Sequence, residues 1–160
     1  MDNRLNLPWH YAATGFIVSQ DKTQTLLVHH RKFSKWLPPG GHVDAGEMPH
    51  LAVLREVQEE VGLSSAKFLP NPHDLTLTGT NELQVPSPYV ILDELIPAGR
   101  DPEHRHLDFI YLLTANQDDA ITRAEHEIHD ARWFTLAELS SIETFPGIHA
   151  IAKQILVRND

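Results

Sequence analysis

Residues 41–63 read GHVDAGEMPHLAVLREVQEEVGL, and the rest of the chain is best read outward from them. Glu56, Glu59 and Glu60 stand at i, i+3 and i+4, so on a helix they share one face. Carboxylates held that close repel one another unless a cation lies among them. Oxygen donors select a hard cation, Mg²⁺ first and Mn²⁺ second. Helical periodicity is present independently of the acids, because Leu51, Leu54, Val57 and Val61 form an apolar stripe. Asp44 and Glu47 have capping-box spacing, Pro49 suits a first turn, and Gly62 suits a left-handed helix end. Arg55 precedes Glu59 by one helical turn and can orient that carboxylate. Taken alone, E-V-Q-E-E is accounted for equally well as a solvated helix face.

The preceding Trp36-Leu37-Pro38-Pro39-Gly40-Gly41 is a stiff apolar run ending in two glycines. Such a run exposes backbone carbonyls as further hard ligands, and its glycines let the backbone approach a phosphate closely.

Gly41, Glu47 and Arg55-Glu56-Val57-Gln58-Glu59-Glu60-Val61-Gly62-Leu63 together resemble the signature of the Nudix hydrolases, G-x5-E-x7-R-E-U-x-E-E-x-G-U with U a bulky aliphatic residue. No fixed position of the signature is missing. The resemblance implies an α/β fold, the α/β/α sandwich with a central mixed β-sheet, over nearly the whole chain. It implies hydrolysis of a nucleoside diphosphate linked to another moiety. Glu56, Glu59 and Glu60 would hold Mg²⁺, assisted by a backbone carbonyl at Gly40 or Gly41, with Glu47 a peripheral ligand or a holder of the loop. A looser part of the family pattern is a glutamate ahead of a tryptophan-bearing strand, which Glu127 matches, with Glu125 the alternate. Glu56, Glu59 or Glu127 would then deprotonate the attacking water. The chain has no cysteine, and without a nucleophilic triad direct attack by water is favoured over a covalent intermediate. Nucleoside triphosphates, nucleotide sugars and ADP-ribose all remain open as substrates, although Leu77 stands where many ADP-ribose pyrophosphatases carry proline. An inactive nucleotide-binding sensor is the alternative, and the intact set of acids argues against it.

Composition agrees with that placement. The 160 residues make one domain, 1–160, with 41% hydrophobic content. No apolar run of about 18 residues is present, so no membrane span is expected. The first residues lack a signal-peptide core, which makes a cytoplasmic location the default. A net charge of −9 disfavours long nucleic acid as a partner and leaves a small nucleotide. Lys22, Arg31-Lys32 and Lys35 would draw one phosphorylated molecule toward the glycine loop, and Arg31 is the candidate contact. Trp9, Tyr11, Phe33 and Trp36 include a candidate base-stacking surface, although core packing accounts for each of them as well. A homodimer is expected only because two-fold dimers are common.

Strands are expected over 12–19, 25–31, 90–96, 107–114 and 131–134, with a short one over 66–69. A second helix begins near Leu136 with Thr135 and Glu138 as its capping box, and a closing helix follows an interruption at Pro146-Gly147 over 148–157. Residues 69–105 are rich in proline, carry a turn signal at Gly79-Thr80-Asn81, and either shape the substrate pocket or form a surface insertion. On the strand His104-Arg105-His106-Leu107-Asp108, alternation puts His104, His106 and Asp108 on one side. They suit a hydrogen-bonded sheet face, substrate contact through His106 and Asp108, or a transition-metal site.

Overall fold

The computed structural model describes residues 6–75, 77, 81–99 and 101–156. Strand β1 (Trp9–Ser19) is the spine of a mixed sheet. On one edge it runs parallel to β7 (His104–Ala115), from Trp9 opposite Arg105 to Ser19 opposite Ala115. On the other edge it pairs antiparallel with β4 (Gly40–His42) near its start and with β2 (Gln24–His30) near its end. Strand β2 also pairs with β3 (Lys35–Leu37) and β8 (Ile128–Thr135). The outer edge of β7 takes β5 (Lys67–Phe68) and β6 (Val90–Ile96).

Alternation along β1 builds a core on each face of this sheet. Ala13 and Ile17 pack with Tyr111, Leu113 and the Val53, Val57 and Val61 side chains of α1 (Pro49–Val61). Phe16 and Val18 pack with Ile110, Phe134 and the Ile148 and Ile151 side chains of α3 (Pro146–Ile155). Each of the buried Val, Leu, Ile and Phe side chains contributes roughly 1.5–3 kcal/mol relative to exposure. Helix α2 (Leu136–Leu139) adds Leu139 to the second core, which completes the expected α/β/α sandwich. Among the described residues no helix is long and apolar enough to cross a membrane.

Several local expectations shift. Helix α1 starts at Pro49 with Met48 as its cap and no side-chain capping bond. Asp44 and Glu47 instead close a turn ahead of the helix: Glu47 N–H donates to Asp44 O (3.0 Å), and Asp44 N–H donates to Glu47 Oε2 (3.1 Å). Gly46 carries that turn at φ +82°. The buried face of α1 is Ala52, Val53, Val57, Glu60 and Val61, whereas Leu51 is exposed. Leu51 lies about 200° around the helix from Val53, away from the sheet. Pro146 opens α3 at its first position rather than interrupting it, since its missing N–H would have no intrahelical partner there. The Thr135–Glu138 capping box forms as expected.

Strands β3 and β4 lie outside the expected set, because three-residue strands around Pro38-Pro39 show no alternation. Within 69–105, Gly79 and Thr80 lie outside the described residues, as does the expected helix end at Val157. The segment lines a cavity of about 770 Å³ with Leu69, Asp74, Val85, Tyr89 and Leu112. Tyr89 Oη donates to Gln154 Oε1 of α3, which ties this region to the sheet face opposite α1.

Candidate active site

Strand β4 presses the two glycines against α1. A Cβ on Gly41 would lie 2.5–2.8 Å from the carboxylate atoms of Glu56, and one on Gly40 would lie 2.6 Å from Ala13 O. The close approach is what requires glycine at both positions. Gly40 N–H donates to Glu60 Oε2 at 3.1 Å. Glu60 is only 2% exposed, and among the described residues no Lys, Arg or His forms an ion pair with it. Burial pushes its carboxyl up to about 8, with Glu56, Glu127 and Glu59 adding to the rise and the Gly40 N–H opposing it. Burial raises Glu56 as well, partly offset by Arg55.

Arg55 organises the other acids. Its Nε and Nη2 grip Glu47 in bidentate fashion (2.9 and 2.8 Å), while Nη1 reaches Glu56 Oε1 (2.8 Å) and Glu59 Oε2 (3.1 Å). Nη2 also donates to His42 O at 2.9 Å, which pins β4. One guanidinium therefore hydrogen-bonds three carboxylates and pairs at longer range with Asp44 (3.9 Å), and Glu60 is left without a share. The hydrogen bonds from Arg55 hold Glu47 below the usual carboxylate range. Both oxygens of Glu47 are engaged, one with Arg55 alone and the other with Arg55 and the Asp44 N–H, so its geometry is that of a loop holder. The Glu59 side chain is the most exposed of the three that Arg55 hydrogen-bonds.

The left-handed Gly62 ends α1, and the segment ahead of β8 is stitched to that end: Thr122 N–H donates to Val61 O and Ala124 N–H to Glu60 O, both at 3.0 Å. This brings Glu127 into electrostatic reach of Glu56 and Glu60. Arg31 joins the same rim, its N–H donating to Glu127 O (2.9 Å) and its Nε to Glu125 O (2.7 Å). The expected basic group is divided, with Lys22 ahead of β2 and Arg31 beyond its other end, and Lys32 pairs with Asp101. Trp36 is a core residue, packed edge-to-face on Phe134.

The NUDIX domain model matches residues 9–155. The chain belongs to the NUDIX domain family. It is 42% identical over 53 residues to the RNA pyrophosphohydrolase of Ruthia magnifica subsp. Calyptogena magnifica, which is 33% of this chain and 30% of that protein. It is 25% identical over 117 residues to a probable DHNTP pyrophosphohydrolase of Lactococcus lactis subsp. cremoris, covering 73% of this chain and 61% of that protein. The chain thus spans less than two thirds of the length of these curated relatives. A NUDIX-family hydrolase structure from Clostridium perfringens superposes with a TM-score of 0.74 at 27% identity, over 91% of this chain and 95% of that one.

The NUDIX helix, α1, lies on one face of the sheet, and the structure does not bring His106 and Asp108 to it. They project from the other face, that of Thr14 and Ile110. Asp108 is buried, accepts from Thr14 Oγ1 at 2.7 Å through Oδ2, and among the described residues has no hydrogen-bond partner at Oδ1. Burial pushes Asp108 up to about 6 and its neighbour Glu94 up to about 7. His106 Nε2 lies 3.1 Å from His104 Nε2, and His10 and His42 complete a cluster with them. Strand alternation does put His104, His106 and Asp108 on one side. Glu94, His10 and His42 escape a reading of the sequence because strand register, not proximity along the chain, brings them there.

Proposed function

We propose that this NUDIX domain hydrolyses a phosphoanhydride bond in a nucleoside diphosphate linked to another moiety, by attack of water at phosphorus with Mg²⁺, or Mn²⁺ in its place. The observation that carries this reading is Glu60, a carboxylate buried beside Glu56, Glu59 and Glu127 with no cationic partner. A hard divalent cation fits that deficit, because the side chains that act on Glu60, namely Glu56, Glu127 and Glu59, are all carboxylates. Glu56, Glu59 and Glu60 would hold the ion with the Gly40 or Gly41 carbonyl. When bound, it neutralises phosphoanhydride charge and acidifies the attacking water.

The remaining roles fall to the chain itself. Arg55 positions Glu56 and Glu59 and, through Glu47 and His42 O, fixes the loop that carries the glycines. Glu127, or a carboxylate of the helix, takes the proton from water. Arg31 guides the phosphates past the glycine backbone, which lacks side chains that would obstruct them. The two relatives are named for pyrophosphohydrolase activity on different molecules, which supports a shared bond type and leaves the leaving group open. The net charge of −9 favours a small nucleotide over long RNA.

The test is a panel of nucleoside triphosphates, nucleotide sugars, dinucleoside polyphosphates and ADP-ribose, incubated with Mg²⁺ or Mn²⁺ and analysed for products. At least one should turn over in a metal-dependent way, and the product pair identifies the phosphorus attacked. Binding without turnover across the panel would overturn the proposal in favour of a sensor.

A further inference from the structure

On the sheet face opposite the NUDIX helix, we propose that His10, His42, His104 and His106 form a second metal centre that takes one zinc-class divalent cation. This goes beyond the proposed hydrolysis and stands whether or not the chain is an enzyme.

The backbone brings the four together. His10 is on β1, His42 on β4, and His104 and His106 on β7. The parallel register sets His10 directly beside His106, and the antiparallel pairing of Ala12 with His42 brings β4 alongside. Side chains two apart on one strand share a face, so His104 and His106 point the same way. One ring nitrogen from each residue lies within 4.8 Å of those of the other three. A tetrahedral zinc with nitrogen ligands needs ligand separations of about 3.3 Å, which follows from its bond length. His104 and His106 already meet that spacing, with their Nε2 atoms 3.1 Å apart. His10 and His42 are the exposed members, free to close the remaining distance by rotamer adjustment.

A second observation fixes which nitrogen of His104 faces the cluster. His104 is buried, and its Nδ1 lies 2.7 Å from Pro102 O. A carbonyl only accepts, so Nδ1 carries the hydrogen, and Nε2 is the nitrogen left to offer a lone pair to a cation. Imidazole ligands of metals are oriented in this same way by a carbonyl or carboxylate on the far nitrogen.

Neither an ion-pair network nor an anion site suits the four imidazoles as well. None of them forms an ion pair with a carboxylate among the described residues. An anion site would require several protonated imidazoles packed together, and their mutual repulsion opposes that. Convergent imidazole nitrogens are a donor set for a borderline cation such as Zn²⁺ and a poor one for Mg²⁺. An open depression lined by His10, His42, His104 and Asp101 gives the ion a path in, with an acid at its rim. A bound ion would tie the start of β1 to β4 and β7.

The test uses the full chain, freed of metal with EDTA and titrated with Co²⁺ and then Zn²⁺. Four-coordinate Co²⁺ on imidazoles absorbs strongly in the visible, whereas six-coordinate Co²⁺ on carboxylates absorbs weakly, so the spectrum tells the two centres apart. One equivalent of Co²⁺ should give the strong bands, and Zn²⁺ should displace it. The double variant His10→Ala/His42→Ala changes only exposed side chains and should bind Co²⁺ roughly 100-fold more weakly or not at all. Glu56→Gln/Glu60→Gln should retain the bands. The proposal is overturned if wild-type protein gives no strong bands, if the His10/His42 variant keeps them, or if the glutamate variant loses them.

Discussion

The two faces of β4 carry opposite chemistry within three residues. On one side Gly41 admits the Glu56 carboxylate into a cluster with more negative charge than its one arginine can balance. On the other side His42 joins a group of imidazoles whose ring nitrogens converge. The two donor sets proposed above differ in kind: hard oxygen donors suit Mg²⁺, and imidazoles suit Zn²⁺. A sheet one strand thick keeps the donor sets apart, so each can be broken without touching the other's side chains.

The largest effect should come from the carboxylate face. Glu59→Gln or Glu60→Gln removes a charge at nearly constant shape, and Glu60→Gln can keep the Gly40 N–H bond through its amide oxygen. Turnover of the best substrate in the panel should fall by roughly 100-fold or more while the fold is retained. Steady-state kinetics at saturating Mg²⁺ decides this, and wild-type rates in both variants would remove the helix from the reaction. Next in size is Gly41→Ala, whose new Cβ would collide with the Glu56 carboxylate. Displacing that ligand should weaken Mg²⁺ activation roughly 10- to 100-fold. Cobalt binding at the imidazoles should be unchanged, because the added methyl group faces α1.

The contrast between the faces also separates what is legible in the sequence from what is not. Glu56, Glu59 and Glu60 are neighbours on one helix, so their convergence follows from the 3.6-residue period alone. Arg55 pairing with Glu59 is legible for the same reason. The grip of Arg55 on Glu47 and on His42 O is not, since it depends on how the loop 42–48 folds back. The imidazole group draws on positions 10, 42, 104 and 106, and no local pattern joins them. Only the register of β1 with β7 and β4 does so, and β4 itself, directly after a double proline, carries no strand pattern. Alternation and helical stripes make a mixed sheet between helices readable, and the resemblance of residues 41–63 sharpens it to the sandwich. Leu51 misleads because the apolar stripe in the sequence is centred away from the face that meets the sheet.

A smaller effect tests how the carboxylates are positioned. Arg55→Lys keeps the charge but cannot span Glu47, Glu56, Glu59 and His42 O at once. Activity should drop about tenfold, with a higher Mg²⁺ requirement as the main symptom. If kcat fell without any change in Mg²⁺ dependence, Arg55 would be acting on the substrate and not on the ligands.

The smallest effect is one of stability, and on it the two faces pull in opposite directions. In metal-free protein, Glu60 holds its proton more tightly folded, at about 8, than its ordinary 4.5. Its contribution to stability is therefore complete below about pH 4.5 and is lost as pH rises toward 8. His106 is the reverse case: burial, with His42, His104 and His10 adding, lowers it from 6.5 to about 4, so its contribution is complete above 6.5 and lost as pH falls toward 4. In EDTA, the melting temperature of Glu60→Gln minus that of wild type should grow between about pH 5 and pH 8, by several degrees at the 2–4 °C per kcal/mol typical of this size. For His106→Gln the same difference should shrink with rising pH across its own window. Saturating Mg²⁺ should abolish the Glu60 trend and leave the His106 trend in place, because only the carboxylate face gains a counter-ion. A flat Glu60 difference in EDTA would mean that its carboxylate already has a cation, and the charge deficit assigned to this face would be wrong.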